Sequence, residues 1–400
     1  MPVNPMLRRY RERYAEPGSA HLATGTQGRQ FKQVLVIVCF AEADDFLDAM
    51  NIPGGMDTLS VVVVNSPDNA NAEDRRRTLA CLAALLARPA PNRLIVDRVN
   101  DPIPHRQGVG LARKIGADIA VELIDRDIVH TPWIYFTDAD ARLPADYFQT
   151  PLPAAGTLLF GYRHEAGDDE LQRRADLYEL HLRYYTWQLR RSGSSYGFSS
   201  LGSLLSVSAQ AYAAVRGVPK RNAAEDFYLL NKLAKVAPVT QLTRPVVRLA
   251  ARMSTRVPFG TGPALNAMPT ASEDYLSYAP EAFDSLSNTL TALNRYAECG
   301  ELALTDSQAF ASLETLGWRR FEAQLQRITA LRQRRRQIRE WFDGFRTMRF
   351  VRLAAAEYPD QPLLATLRKL LSAEPGAPAE TLLGRLIEDE RSVTIWPDDH

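Results

Sequence analysis

The sequence predicts an α/β fold: a mostly parallel sheet flanked by helices, followed by a helical C-terminal region. Three observations carry this. Continuous apolar runs rich in β-branched residues recur up to Thr137, each the length of a strand buried on both faces. Amphipathic helical patterns stand between them, as the crossovers of a parallel sheet require. From about Ala271 onward such runs are absent, and Leu, Ala and Arg recur at helical spacing instead.

The elements follow in order. Residues 1–30 are a polar, basic arm rich in Gly, Thr and Gln, leading into a first strand over Val34 to Phe40. A second strand, Leu59 to Val64, ends in the turn-forming cluster NSPDNAN. The helix after it places Leu79, Leu82, Leu85 and Leu86 on one face and stops before Pro89. Arg93 to Val96 is a third strand, and the next helix carries Leu111, Ile115, Ile119 and Leu123 at steps of four. Trp133 to Thr137 is a fourth strand and Leu158 to Gly161 a fifth, followed by a long amphipathic helix over Asp168 to Arg191. This ordering divides the chain into an arm (1–30), an α/β domain (31–265) and a helical region (266–400). Binding sites in such domains gather at the carboxyl ends of the strands.

Composition narrows the function classes. With 46% hydrophobic residues in 400, the chain can bury a sizeable core. Lys+Arg 48 against Asp+Glu 47 leaves a net charge of +1, so there is no whole-chain field for nucleic acid or an anionic membrane. Cys39, Cys81 and Cys299 are odd in number and widely spaced, which excludes a disulfide framework and a thiolate zinc site. Together with the absence of a signal-peptide pattern or an apolar run long enough to span a membrane, they lead us to expect a cytoplasmic protein.

Two acidic pairs stand out. In Thr137-Asp138-Ala139-Asp140, two carboxylates one residue apart leave the sheet together, where they can offer oxygens to a hard divalent cation that neutralises phosphate charge. A solvated acidic turn has the same pattern. Glu225-Asp226 opens the helix FYLLNKLAK, and Asn222 three residues earlier makes an Asn-x-x-Glu arrangement like a capping box. Capping accounts for Glu225 but not for Asp226. Carboxylates at a helix N-terminus are expected to have lowered pKa values. Farther on, Arg252 and Arg256 precede Gly260 and Gly262, a pattern that fits either a flap closing on a diphosphate or a basic linker. His164, after the fifth strand, is a metal ligand or a surface histidine; the other histidines lack ligand spacing.

Read in order, VLVIVCFAEAD, VVVVNSPDN, QGVGLARKIGADIA, PWIYFTDADARLP and AAEDFYLLNKLAK resemble the family 2 glycosyltransferases of the GT-A fold, over roughly residues 31–245. The resemblance implies a Rossmann-like GT-A domain that moves a sugar from a nucleoside-diphosphate-sugar donor to an acceptor hydroxyl with inversion, using Mn²⁺ or Mg²⁺. It implies that Glu42 and Asn65 face the base and ribose, although Asn65 and Ser66 stand where the family often has two acids. Arg113, in LARK, would approach the base or diphosphate, unless it is an arginine on an exposed helix face. Asp138 would contact ribose or the metal shell, Asp140 would bind the metal, and Asp226 would be the base, with Glu225 as second choice. Arg252 and Arg256 would then meet the donor diphosphate.

Other classes remain. A retaining transferase shares the fold. A haloacid-dehalogenase-type phosphohydrolase also begins its nucleophile motif as Asp-x-Asp, but here the motif follows three earlier strand units, and Arg142 stands where that family has Thr or Val. A non-catalytic nucleotide-binding protein is kept open by Asn65-Ser66. In the C-terminal region, Ile338, Trp341, Phe342, Phe345 and Phe350 alternate with Arg, which fits either packing on the protein or peripheral association with a membrane.

Overall fold

A computed structural model of the chain describes residues 4–26, 28–43, 45–253, 260–269 and 271–396, which fall into two units. The first comprises residues 1–165, 200–260 and 391–394; the second comprises 166–199, 261–390 and 395–400.

The first unit is built on strands β1 (Gln33–Cys39), β2 (Thr58–Pro67), β3 (Arg93–Ile103), β4 (Trp133–Asp138), β5 (Ala141–Arg142), β6 (Thr157–Glu165), β7 (Leu205–Ser208) and β8 (Val239–Ala250). They lie in the order β3-β2-β1-β4-β7-β6-β8, with Val393–Ile395 beyond β8 and β5 paired to β8. β1 is parallel to β2 and β4, β2 to β3, and β6 to β8; β7 runs antiparallel between β4 and β6, and the short β5 is antiparallel to β8. This is the mostly parallel, helix-flanked sheet that the alternating runs predict. β1 and β2 are buried along almost their whole length, which is why they read as unbroken apolar runs.

Chain order reverses around β1: the connection from β1 leads to β2 on one side, and the one from β3 crosses to β4 on the other. The carboxyl ends of β1 and β4 are therefore neighbours at a topological switch point, where open α/β sheets bind ligands. In register, Val38 lies beside Asp138.

The helices of this unit are α1 (Pro5–Arg13), α2 (Ser19–Leu22), α3 (Phe46–Met50), α4 (Ala72–Ala87), α5 (Gly108–Asp125), α7 (Ala209–Ala214) and α8 (Glu225–Leu233), with α6 belonging to the second unit. On α4 the buried face is Thr78, Cys81, Leu82 and Leu85, while Leu79 and Leu86 are exposed. The expected four-leucine face is thus corrected: the buried stripe is centred on residues 78, 81, 82 and 85, so Leu82 and Leu85 face inward while Leu79 and Leu86 lie on its solvent-facing flank. The predicted stripe on α5 is buried, but so is nearly every residue from Gly110 to Leu123. The arm is also more than an arm. Asn4 and Pro5 start α1, and Tyr10 on it donates a 2.5 Å hydrogen bond to Asp118 of α5, which also accepts from Tyr212 and Lys114.

The second unit contains α6 (Asp169–Arg191) with α9 (Thr261–Asn266), α10 (Pro280–Cys299), α11 (Ser307–Thr315), α12 (Trp318–Leu325), α13 (Leu331–Trp341), α14 (Gly344–Ala354), α15 (Leu363–Leu370) and α16 (Ala379–Asp389). The chain passes from the first unit to the second between Gly260 and Thr261, and α6 belongs with the C-terminal helices. Within this unit Ile338, Phe342 and Phe350 are buried, and Trp341 stacks on Phe321 at 4.5 Å. The aromatic side of the arginine-rich stretch is therefore packed inside its own unit. No helix among the described residues is long and apolar enough to cross a membrane.

Candidate active site

At the carboxyl end of β4, both oxygens of Asp138 are engaged. Arg113 of α5 donates to Oδ1, and the Ser203 hydroxyl donates to Oδ2 at 2.5 Å. Arg113 also donates to the Gly202 carbonyl at 2.8 Å, and its Nε lies 2.9 Å from Glu225 Oε1 in an ion pair. Arg113 is only 5% exposed, so it is not the exposed-face arginine that was the alternative. Burial of a guanidinium demands paired acids around it.

Two glycines make this convergence possible. A Cβ on Gly110 would lie 2.4 Å from the Pro219 carbonyl and 2.6 Å from the Arg221 backbone, so only glycine lets α5 press against the loop that leads to Glu225. The Gly110 amide donates to the Arg221 carbonyl there at 2.9 Å. A Cβ on Gly202 would strike the Arg113 guanidinium at 2.5 Å.

A second guanidinium ties the remaining acids together. Arg252 donates to Glu42 Oε2 at 2.7 Å and Oε1 at 2.5 Å, and to Asp140 Oδ2 at 2.9 Å. β8 delivers it: Leu249 pairs with Ala141, and the Ala250 amide reaches the Asp140 carbonyl at 3.3 Å. Glu42 follows Ala41, held at φ 53° with its amide bonded to Thr78 Oγ1 at 3.1 Å. Glu225 likewise follows a left-handed alanine, Ala224 at φ 56°. Such conformations cost about 1–2 kcal/mol for a residue with a Cβ, and here each aims an acid into the cluster.

The capping-box expectation fails. Ala224 is the N-cap of α8 with no side-chain cap, Asn222 is exposed, and Glu225 is spent on Arg113. The expected lowering of pKa fails with it. Burial, with the charges of Asp226 and Asp138, pushes Glu225 up to about 7 against the pull of Arg113. Burial raises Asp226 as well, and it raises Asp140 to about 6, helped by Asp138 and Glu42 and opposed by Arg252. Removal from water and mutual repulsion outweigh the helix dipole. Asp226 is the more exposed of its pair, with Oδ1 accepting from the Phe227 amide at 2.7 Å.

Of the other predicted residues, Asn65 lies near the carboxyl end of β2 at 5% exposure, and its Oδ1 has no hydrogen-bond partner among the described residues. A buried amide oxygen left this way invites a donor from a ligand or water. Ser66 is fully buried. Arg256 lies outside the described residues. His164 is buried in β6 and stands edge-on to Tyr162. What sequence reasoning missed was the mutual pairing: Ser203 on Asp138, Arg113 on Glu225 and Arg252 on both Glu42 and Asp140. The available signals were the Gly/Ser-rich stretch 193–203 and the glycines of QGVG.

The residues suit a divalent cation only as part of a shared shell. Among the described residues, no group of three or more His, Cys, Asp or Glu side chains is assembled to hold a metal alone. Yet, among the described residues, five carboxylates, Glu42, Asp138, Asp140, Glu225 and Asp226, gather around two guanidiniums, Arg113 and Arg252. That surplus of negative charge favours an added cation. Mg²⁺ is commonly held by one or two carboxylates, with substrate phosphates and water completing the shell. Asp140 is the carboxylate so placed; Asp138 is already capped at both oxygens.

The chain matches no protein-family profile and no curated protein. Among solved structures it is similar to a crystal structure of S. aureus TarS, residues 1–349, in complex with UDP-GlcNAc, at 11% identity and a TM-score of 0.33, covering 82% of this chain and 91% of that one.

Proposed function

We propose that the chain is a GT-A-type glycosyltransferase, similar to family 2, that transfers a sugar from a nucleoside-diphosphate-sugar donor to an acceptor hydroxyl with inversion. One observation carries the reading: acids that follow β1 and β4 and that open α8 gather at the switch point of a parallel sheet, with Arg113 pairing Asp138 and Glu225 and Arg252 pairing Glu42 and Asp140. A centre with more carboxylates than guanidiniums favours a further cation when it holds a diphosphate, and three of the five sequence motifs of the resemblance carry these same acids.

In this reading Asp226 takes the proton from the acceptor oxygen as that oxygen attacks the anomeric carbon and the bond to the diphosphate breaks. Its raised pKa makes it a stronger base than an ordinary aspartate, and its exposure leaves it open to the acceptor. Glu225, buried on Arg113, positions rather than reacts. Arg113 holds Asp138 and α8 in register, and Asn65 offers its amide oxygen to the base. Mn²⁺ or Mg²⁺ at Asp140, when bound, would neutralise charge developing on the diphosphate. The acceptor in this reading is a hydroxyl of a saccharide, a small molecule or a lipid-linked group, the last reached by peripheral membrane association through the arginine-bearing side of α13.

The engagement of both Asp138 oxygens disfavours a phosphohydrolase, in which one of them would have to attack phosphorus. The test is turnover of nucleotide sugars with Mn²⁺ or Mg²⁺. Asp140→Ala should lose metal-dependent turnover, and Asp226→Asn should lose transfer by roughly 10²–10⁴-fold while keeping donor binding. Full activity in Asp226→Asn would refute the base assignment.

A further inference from the structure

Arg252 stands where a metal ion would compete with it. Its guanidinium bonds Asp140 Oδ2 and both oxygens of Glu42, spanning acids from two different loops. It is also the more exposed of the two site arginines, at 36% of its side chain against 6% for Arg113. A buried acidic cluster needs positive charge at all times, and without donor or metal this side chain supplies it.

We infer that Arg252 is a resident counter-cation, one that holds Asp140 and Glu42 in the donor-free protein and must release Asp140 before a divalent cation can bind there. The inference rests on the proposed metal-assisted use of Asp140. Two consequences follow from charge alone. Metal binding without donor is weak, because the ion must displace a fork of hydrogen bonds, and a donor diphosphate strengthens it by giving the released guanidinium a new anion to hold. Metal and nucleotide therefore bind cooperatively, each lowering what the other must displace. Arg252 acts here as a positioning residue, through the carboxylates it holds.

The experiment is a Mn²⁺ titration followed by electron paramagnetic resonance on the full chain without donor, in the wild type, Arg252→Gln, Arg252→Lys, Asp140→Asn and the Arg252→Gln/Asp140→Asn double variant. Arg252→Gln should bind Mn²⁺ about tenfold more tightly than wild type. A variant damaged in folding would bind more weakly, so tightening separates competition from disruption. Arg252→Lys, which keeps the charge but not the fork, should bind less tightly than Arg252→Gln, and Asp140→Asn should abolish the gain in the double variant. Equal or weaker Mn²⁺ binding in Arg252→Gln would overturn the inference, as would a gain that survives Asp140→Asn or an Arg252→Lys variant that binds as tightly as Arg252→Gln. A parallel titration of UDP and GDP with Mn²⁺ separates this from the proposed function: nucleotide binding without tightening in Arg252→Gln defeats the inference alone, and tightening without any nucleotide binding defeats the transferase reading alone.

Discussion

Glu225 and Asp226 are adjacent in sequence yet meet different surroundings, and the difference sorts their roles. Glu225 is buried against Arg113, while Asp226 keeps partial access to solvent and a raised pKa. If Asp226 is the base and Asp140 the metal ligand, as proposed, transfer should fall as pH drops through the pKa of Asp226, and it should fall further where Asp140, at about 6, takes up its proton and would lose the metal. A pH–rate profile at saturating and limiting Mn²⁺ checks this: the limiting-metal profile should lose activity at the higher pH of the two. Coincident profiles would remove Asp140 from metal binding. The acids were legible as local pairs, because Asp138 and Asp140 share a tripeptide and Glu225 and Asp226 a dipeptide. Their partners were not, since Arg113 reaches Asp138 and Glu225 across long stretches of chain that no local pattern spans.

At the level of elements, apolar runs identified β1, β2, β3, β4 and β6 with the crossover helices between them, because strands buried on both faces carry unbroken β-branched runs, but they did not mark β5, β7 or the half-exposed β8. Sequence pattern also failed where backbone conformation decided the outcome. Ala224 at φ 56° caps α8 without a side chain, so the Asn222 spacing was a coincidence of sequence. Buried polar contacts were equally hidden: α1 is docked through Tyr10 on Asp118, in a segment whose composition reads as a polar arm. α5 links these features, carrying Arg113 toward the site and Lys114 and Asp118 toward α1. Its fit depends on Gly110. Gly110→Ala should push the 219–222 loop away and loosen the Glu225–Arg113 pair, at about 1–3 kcal/mol of stability by chemical denaturation. It should also reduce turnover. Unchanged stability and turnover would mean that the close approach is not needed.

On the scale of the whole molecule, a net charge of +1 conceals a concentrated negative centre. Asp140 has a folded pKa above its ordinary value, so the stability it contributes is fully present below the unfolded pKa and is lost as pH rises through about 6. In the donor-free protein, Asp140→Asn should therefore flatten the dependence of Tm on pH between about 4 and 7, relative to wild type. An unchanged slope would show that Asp140 ionises without cost. The same surplus of carboxylates underlies the central claim, that this centre exists to bind a nucleoside diphosphate together with a cation. The most direct measurement is a thermal-shift series with UDP, GDP, CDP, dTDP and their sugars, each with and without Mn²⁺, on wild type and Asp140→Ala. The account predicts that one nucleotide raises Tm only with Mn²⁺, and that Asp140→Ala abolishes the rise. No shift with any nucleotide, or a shift indifferent to Mn²⁺ and Asp140, would contradict it.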